Sequence, residues 1–401
     1  MKKNNLIVPE GTRDLIFDEC AVKREVESRF KRLFESRGYS EVITPGIEFY
    51  DVFTGKARYF QQEQLYKLVD SKNRLLVLRA DNTLPIARLV ATRYRESIFP
   101  LKVFYNQNIF LANPKNSGKD DEISQCGIEI IGGDIRKSDI EALSIAVEAM
   151  KASACGNFRF EIGSSQIFDG LVKLLEISED EIEEIRAVID GKNYPALNSI
   201  LDDYGQNEVT SALRVLPSLF GDGGVFEKAE NLMQWKFAQE AIEMLKNTFL
   251  FLEGLGISNQ ITVDFGLVSR KNYYTGLIFK AYAENYGSPI LSGGRYDNLI
   301  SDFGFSVPAV GFGLNIGAIF MIELSKSSRA KVKVPDAIVF SENEMDADII
   351  LYCNNLANKD FIVENSVLPT LEQTLEYAKR RGIAQVHIMD RNKVQVLEIE
   401  E

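Results

Sequence analysis

The sequence contains very little histidine and cysteine, and each shortage excludes a class of function. Among 401 residues there is one histidine, His387. A Ser-His-Asp triad would have to use it as the base, and one chain cannot supply several histidine ligands to a metal. The four cysteines lie far apart and form no C-x-x-C pair. They predict neither a zinc site nor a disulfide framework, and each is expected to be a small core residue in a reducing cytoplasm.

Long apolar runs and positive charge are also in short supply. No apolar run approaches the roughly 18 residues that span a bilayer, and MKKNNLIVPEGTRD at the start lacks the apolar stretch of a signal peptide. The 46 lysines and arginines face 58 aspartates and glutamates, which leaves a net charge of −12. This balance argues against a broad nucleic-acid-binding surface. We therefore expect a cytoplasmic protein without a membrane segment.

The composition that remains is that of a folded protein with more than one domain. Hydrophobic residues make up 45% and charged residues 26% of the chain, as in soluble globular proteins. Helix and strand patterns alternate through residues 1–324, except that about 166–255 carries almost purely helical periodicity and predicts a helical insertion. A polar linker at 325–335 precedes a small C-terminal domain, 336–401, with the pattern β-α-β-α-β-β.

Two local patterns make direct structural predictions near the N-terminus. Apolar residues at helical spacing predict a helix over residues 14–37, with Asp14 as its N-cap. The alternating sequence EVITPGIEF, residues 41–49, predicts one strand that carries Pro45.

The most distinctive motif is LSGGRYDNLISDFG, residues 291–304. Taken alone it is a glycine turn after a strand, in which Gly293 and Gly294 allow close backbone approach, and a structural role is the simpler interpretation. It is preceded by SRKNYYTGLIFKAY and followed by AVGFGLNIG. In this order the three segments resemble the histidine-specific blocks and the third motif of histidyl-tRNA synthetase, a class II aminoacyl-tRNA synthetase.

The resemblance extends upstream through the rest of residues 1–324. The segment EVITPGIEF resembles motif 1, whose proline, here Pro45, lies at the dimer interface of that fold. The family's amino-acid-binding loop resembles LRADNTLPIAR, and its motif 2 with the following strand resembles FYNQNIFLANPKNSGKDDEISQCGIEIIGG. The resemblance implies an α+β fold with an antiparallel sheet flanked by helices, as in class II synthetases, and a dimer.

Arginines that the family places on ATP and the aminoacyl phosphate are missing from these motifs. Leu111 and Asp121 occupy the two arginine positions of motif 2, Ala318 occupies that of motif 3, and Ser269 replaces the arginine of the histidine-specific block. Removing one such donor typically costs a factor of about a hundred to a thousand in rate. The resemblance therefore implies no adenylation activity. The alternative is that other arginines substitute for them, with Arg79, Arg270 and Arg295 as candidates.

Residues that the resemblance places around the amino acid itself are retained. A carboxylate, a hydroxyl and an amide stand where the family holds the ammonium group, and a glutamate with two tyrosines stands where it holds the imidazole. These groups suit their ligands, because carboxylates accept from N–H donors and aromatic rings flank an imidazole. Gln125 and Glu129 also share a strand face, although two polar residues on one face are commonly just solvated. The predicted histidine-binding residues are Asp81, Thr83, Gln125, Glu129, Arg270, Tyr273 and Tyr274.

A histidine pocket without phosphate-binding arginines resembles the synthetase-like regulatory subunits of ATP phosphoribosyltransferase. That resemblance implies a chain with no catalytic residue, metal or cofactor, which is required by a short-form catalytic subunit and which mediates feedback inhibition by free histidine. It also implies a homodimer within a hetero-octamer. The short C-terminal domain ends in the acidic VLEIEE, so we expect no tRNA contact, and His387 is expected to be structural. The alternatives are an active histidyl-tRNA synthetase and a stand-alone histidine sensor.

Overall fold

The chain divides into two compact units, Met1–Arg329 and Ala330–Glu401. A computed structural model describes residues 6–55, 59–114, 118–268, 273–284, 286–326, 333–342, 347–390 and 393–399. Within these ranges, no helix has both the length and the apolar character needed to cross a membrane.

A nine-stranded sheet organises the first unit. The strands of this unit are β1 (Ser40–Glu41), β2 (Ile47–Phe49), β3 (Lys67–Val69), β4 (Leu75–Leu78), β5 (Leu101–Phe110), β6 (Glu122–Ile131), β7 (Phe158–Ser164), β8 (Phe220–Gly221), β9 (Ile261–Asp264), β10 (Leu277–Ala283), β11 (Leu291–Arg295) and β12 (Ala309–Asn315). The large sheet has the order β1-β5-β6-β12-β11-β10-β7-β9-β8, and β2, β4 and β3 form a separate antiparallel sheet. In the large sheet β1 pairs with β5 and β7 with β9 in parallel, and the other neighbours are antiparallel.

Helices cover one face of the large sheet and supply most of the predicted insertion. The helices of the first unit are α1 (Asp18–Ser36), α2 (Asp51–Thr54), α3 (Thr83–Arg93), α4 (Ile135–Ala152), α5 (Ser165–Lys173), α6 (Glu179–Asp190), α7 (Tyr194–Asp202), α8 (Glu208–Val215), α9 (Val225–Lys228), α10 (Lys236–Gly254) and α11 (Ile316–Ser325). Helix α1 buries Val22, Val26, Phe30 and Phe34, one side chain per turn, and Phe34 packs against Phe104 of β5. Helices α5 to α10 lie between β7 and β9. The predicted fold class, α+β with a central sheet flanked by helices, is confirmed.

The second unit is a smaller α/β arrangement. It contains strands β13 (Ala337–Phe340), β14 (Val363–Asn365), β15 (Gln385–Asp390) and β16 (Lys393–Glu398), in the order β14-β13-β15-β16, and helices α12 (Ala347–Ala357) and α13 (Leu371–Arg381). Consecutive residues of β13 point to opposite faces. Ile338 packs with Ala378 of α13, and Val339 packs with Ile349 of α12. The two helices therefore cover opposite faces of this sheet.

His387 lies in β15 and is held by neighbours within the second unit. Its Nδ1 is 3.0 Å from the hydroxyl of Tyr352, and its Nε2 is 3.0 Å from Oε1 of Gln385. Burial lowers the pKa of the imidazole from its ordinary value. These contacts fit the structural role expected for the residue.

Two predictions for the first helix are wrong. Asp14 does not cap the first helix, which begins at Asp18, because the carboxylate of Glu19 accepts from the N–H of Ile16 at 3.1 Å and fixes the helix start further along the chain. Cys20 is exposed on α1 instead of lying in the core.

The predicted single strand EVITPGIEF is instead split between two sheets. Its start is the end of β1, and its last three residues are β2. Between them, the carbonyls of Thr44 and Pro45 accept from the guanidinium of Arg79 at 2.8 and 3.1 Å. Proline has no N–H to donate to a strand ladder, so the chain bends here and crosses from one sheet to the other.

Candidate functional site

Polar side chains meet over the middle of the large sheet, where β6, β12 and β11 face the start of α3. They surround a small cavity of about 30 Å³. Its lining consists of one carboxylate, four tyrosines, three small polar or amide groups and three residues of β12: Glu129, Tyr105, Tyr273, Tyr274, Tyr296, Thr83, Gln125, Ser292, Gly311, Phe312 and Gly313.

Glycines form the floor of this cavity. Side chains of the site pack directly against the glycine backbone, where a Cβ atom would not fit. A Cβ atom at Gly311 would lie 1.7 Å from Oε2 of Glu129, and one at Gly313 would lie 2.6 Å from Nε2 of Gln125. The register of β12 with β6 causes this proximity, since it places Gly311 beside Glu129. The glycines of AVGFGLNIG therefore serve close approach of polar side chains to the sheet.

Glu129 is fixed by two hydroxyl donors. Its Oε1 accepts from Oγ1 of Thr83 at 2.9 Å, and its Oε2 accepts from the hydroxyl of Tyr296 at 2.5 Å. Only 1% of the residue is exposed. Burial, together with the nearby Glu129 charge, raises the pKa of Tyr296 well above its ordinary value, so the tyrosine remains a donor. The carboxylate is thereby oriented towards the cavity.

Asp81 lies at the N-terminus of α3, where it accepts from main-chain donors. Its Oδ1 accepts from the N–H of Thr83 at 2.7 Å and from that of Leu84 at 3.2 Å. A carboxylate at this position also interacts favourably with the helix dipole. The hydroxyl of Tyr273 is 3.5 Å from Oδ2. The start of α3 is thus fixed beside the cavity.

A pair of amides closes one side of the cavity. Nδ2 of Asn82 donates to Oε1 of Gln125 at 2.9 Å, which orients the amide of Gln125 with its NH2 group towards Gly313. Oδ1 of Asn82 is buried and has no hydrogen-bond partner among the described residues.

Tyrosine rings form the opposite wall. The ring of Tyr273 contacts those of Tyr274, Tyr59 and Tyr296 edge to face, at centroid distances of 4.9, 5.8 and 5.9 Å. Tyr273 and Tyr274 also line a wider cavity of about 850 Å³ that is bounded by α5 and α10. The tyrosine wall therefore separates a small polar cavity from a larger space beside the helical segment.

Six of the seven predicted site residues come together here. Five line the cavity and Asp81 lies immediately behind it, in contact with Thr83 and Tyr273. Arg270 lies outside the described residues. The sequence analysis missed Tyr296, Tyr105 and Asn82. Tyr296 follows Arg295 in the GGRYD motif and could have been found there, whereas Tyr105 is recognisable only from the pairing of β5 with β6, which sets it beside Gly127.

Three of the positions at which the resemblance expects an arginine carry residues with structural contacts. Leu111 packs against the core of the first unit. The carboxylate of Asp121 accepts from Tyr66 and Asn113; burial alone would raise its pKa, but these hydrogen bonds outweigh burial and lower it. Ala318 is buried in α11, and its N–H donates to Oδ1 of Asn315 at 3.0 Å. Ser269 lies outside the described residues.

Two of the three alternative arginines are engaged in internal contacts. Nε of Arg295 donates to Asp139 at 2.9 Å, and its Nη1 and Nη2 donate to Asp297 at 2.8 Å and to the carbonyl of Ile135 at 2.7 Å. Arg79 donates to main-chain carbonyls on both sides. The third, Arg270, is not among the described residues. Among the residues that the structure describes, no cluster of three His, Cys, Asp or Glu could hold a metal.

Comparisons with known proteins place this site in context. The family model for histidyl-tRNA synthetase matches residues 11–319. A curated protein of Clostridium botulinum named ATP phosphoribosyltransferase regulatory subunit is 37% identical over 386 residues, which is 96% of this chain and 92% of that protein. One of the same name from Bacillus thuringiensis is 38% identical over 381 residues, 94% of this chain and 90% of that protein.

Solved structures show the same fold. A crystal structure from Bacillus halodurans, described as an ATP phosphoribosyltransferase regulatory subunit/histidyl-tRNA synthetase, has a TM-score of 0.78 at 27% identity and covers 92% of this chain and 96% of that one. The histidyl-tRNA synthetase of Nostoc has a TM-score of 0.74 at 20% identity, with coverage of 99% and 95%. The second likeness concerns the fold alone.

Proposed function

The chain belongs to the family of ATP phosphoribosyltransferase regulatory subunits, which has the histidyl-tRNA synthetase fold, and we propose that it controls a short-form catalytic subunit through a histidine-binding site. The catalytic subunit requires this chain for activity, and free histidine in the cavity shifts the complex to a less active state. A ligand has this effect when its affinity for the two states differs.

The observation that carries the proposal is the set of groups around the cavity. Asp81 supplies a carboxylate, Thr83 a hydroxyl oxygen and Gln125 its amide oxygen as acceptors for the ammonium group of histidine. Glu129 is buried beside Thr83, oriented by Thr83 and Tyr296, and accepts the imidazole N–H. Tyr273 and Tyr274 flank the ring. The ligand fits this cavity only if the tyrosine wall moves outward, because about 30 Å³ is far less than the few hundred Å³ typical of a ligand site.

The chain has no catalytic role of its own in this proposal. Adenylation needs cationic donors on ATP and on the aminoacyl phosphate, and Leu111, Asp121 and Ala318 stand in those positions. Arg79 and Arg295 cannot reach phosphate without leaving buried acceptors unpaired, which costs about 1–3 kcal/mol for each.

A second copy of the chain completes the proposed assembly. The outward side of the β2-β4-β3 sheet carries Ile47, Phe49, Leu68, Leu76 and Leu78, which we call the apolar face. Ile47 and Phe49 are 50% and 47% exposed. The set itself contains only apolar side chains, and the Arg74 guanidinium lies 5.0 Å from the centroid of the Phe49 ring, so a two-fold contact would oppose apolar side chains with a cation beside Phe49. We assign the homodimer contact within the hetero-octamer to this face.

Histidine binding without adenylation is the property to test on the isolated chain. Titration calorimetry should detect binding of free histidine, and ATP–pyrophosphate exchange should remain at background when histidine is added. Histidine-dependent exchange would instead identify an active synthetase. If the chain does not bind histidine, the cavity is not the regulatory site.

A further inference from the structure

Two hydrogen-bond donors meet on the floor of the cavity above Gly313. A Cβ atom at this glycine would lie 2.6 Å from Nε2 of Gln125 and 3.1 Å from the hydroxyl oxygen of Tyr105. The register explains the approach of the tyrosine, since Tyr105 pairs with Gly127 and Gly127 pairs with Gly313. The tyrosine side chain therefore crosses a strand that has no side chain at that position, and its hydroxyl group reaches the next strand.

The hydroxyl group of Tyr105 is a buried donor whose hydrogen bond is not made within the described residues. The residue is 1% exposed and lines the cavity. Burial, together with the charges of Glu129 and Asp81, raises the pKa of Tyr105 well above its ordinary value, so the hydroxyl group keeps its proton. A buried polar group without a partner is destabilising. The proton of Tyr105 is therefore available to a ligand in the cavity.

Asn82 fixes the direction of the Gln125 amide. Its Nδ2 donates to Oε1 of Gln125 at 2.9 Å, which leaves the NH2 group of Gln125 over Gly313. An amide NH2 group donates and does not accept, so this side of the amide suits an anion. Oε1 keeps a second lone pair, which can accept from an ammonium group beside it. One amide can thus contact both charged groups that an amino acid carries on its α carbon.

Ser292 adds a third hydroxyl or amide donor, and Glu129 marks the other end of the cavity. Ser292 pairs with Gly313 across β11 and β12 and lines the cavity. Glu129 lies against Gly311, which is two residues before Gly313 in the same strand and therefore about 6.8 Å away. That spacing is comparable with the distance between the imidazole ring and the carboxylate of one histidine molecule.

We infer that this part of the floor is a carboxylate subsite, in which Tyr105, Gln125 and Ser292 donate to the α-carboxylate of histidine. The inference rests on the proposed function, in which Glu129 binds the imidazole of the same ligand. Three neutral donors stabilise a carboxylate because hydrogen bonds to a charged acceptor are stronger than those to a neutral one. The site therefore selects histidine over histamine, an amine that has the same imidazole but no carboxylate.

The Tyr105→Phe substitution in the full chain tests the subsite with these two ligands. Calorimetry measures the affinity for histidine, and ligand-observed NMR measures the weaker binding of histamine. We expect the substitution to lower histidine affinity at least tenfold, about the effect of losing a hydrogen bond to a charged group, and to change histamine affinity less than twofold. The midpoint of thermal unfolding should be unchanged or higher, because the substitution removes a buried hydroxyl group that the ligand-free protein leaves unpaired.

A second variant and a control separate the subsite from the general effect of losing a hydroxyl group. Ser292→Ala should also weaken histidine binding more than histamine binding, and it provides the same comparison if Tyr105→Phe fails to fold. Tyr39→Phe is the matched control, because Tyr39 is buried to a similar degree, with 3% exposure, but packs against Phe34 of α1 on the helical side of the sheet. It should leave the affinities for both ligands unchanged.

The outcomes distinguish the inference from the proposed function. Equal losses of histidine and histamine affinity in Tyr105→Phe, or no loss of either, overturn the carboxylate subsite in a chain that still binds histidine. Equal affinities of the unsubstituted chain for the two ligands overturn it as well. Histamine binding too weak to detect supports the subsite, and a loss of histidine affinity in Tyr105→Phe but not in Tyr39→Phe then confirms it. Absence of histidine binding by the unsubstituted chain overturns the proposed function itself.

Discussion

Glu129 is the residue on which selection of histidine depends in this account. It is the buried carboxylate of the cavity, and hydroxyls of Thr83 and Tyr296 fix its direction. Hydrogen bonds to charged groups contribute about 1.5–3 kcal/mol, which corresponds to a factor of about ten to a hundred and fifty in affinity. An imidazole N–H directed at this carboxylate would provide that difference between histidine and an aliphatic amino acid.

The Glu129→Gln substitution should therefore lower histidine affinity by at least tenfold. The amide keeps the size of the side chain, but it loses the charge that attracts the N–H donor. Titration calorimetry measures the change, and Glu122→Gln is the control because Glu122 lies exposed at the start of the same strand. Equal affinities of Glu129→Gln and the unsubstituted chain would place the regulatory site elsewhere.

His387 should titrate below its ordinary pKa of 6.5, because burial favours the neutral imidazole. Its folded-state pKa is depressed, so its contribution to stability is complete above the unfolded value of about 6.5 and is lost as the pH falls below that value. The chain has one histidine, so a tag-free sample gives a single set of imidazole NMR signals. A midpoint at or above 6.5 would contradict the burial of the imidazole.

At the scale of elements, the site depends on the register between β6 and β12. This register places Gly311 beside Glu129 and Gly313 beside Gly127, so that the glycines of β12 leave room on this face for the Glu129 and Gln125 side chains of β6. The sequence indicated the segments and the residue types, since the glycines and Glu129 occur in recognisable motifs. It could not indicate the contacts of Arg79 with Thr44 and Pro45, because these join residues 35 and 34 positions apart through main-chain carbonyls that carry no sequence signature.

The Gly311→Ala substitution should lower histidine affinity at least tenfold and should also lower the thermal stability. The added methyl group would stand 1.7 Å from Oε2 of Glu129 and 2.3 Å from the carbonyl oxygen of Ile128, so both the carboxylate and the pairing of β6 with β12 must shift. Gly287→Ala is the matched control, because a Cβ there meets nothing within 4 Å. Calorimetry reports the affinity, and thermal unfolding reports whether the substitution acts through the site. Unchanged histidine binding in Gly311→Ala would show that binding does not depend on the position of the Glu129 carboxylate against the sheet.

The bounds of helices and strands show where local sequence signals suffice. Helix α4 follows from periodicity, because its buried positions recur at helical spacing along the chain. The first helix instead begins four residues after the predicted Asp14, since the acceptor that fixes its start is a side chain inside the first turn. A capping preference cannot choose between two acidic residues that are five positions apart.

At the scale of the whole molecule, the chain has the histidyl-tRNA synthetase fold, and we propose that it keeps the amino-acid site without the phosphate-binding arginines. The family is established by identity over more than nine tenths of the chain with regulatory subunits.

Reconstitution with the catalytic subunit tests the central claim most directly. The short-form ATP phosphoribosyltransferase of the same source would be assayed alone, with this chain, and with this chain plus histidine, alongside the Glu129→Gln variant. We predict that the catalytic subunit alone has little activity and that this chain activates it strongly. Histidine should inhibit the complex. Inhibition of the variant complex should need an at least tenfold higher histidine concentration. Full activity of the catalytic subunit alone, or unchanged inhibition of the variant complex, would contradict the account.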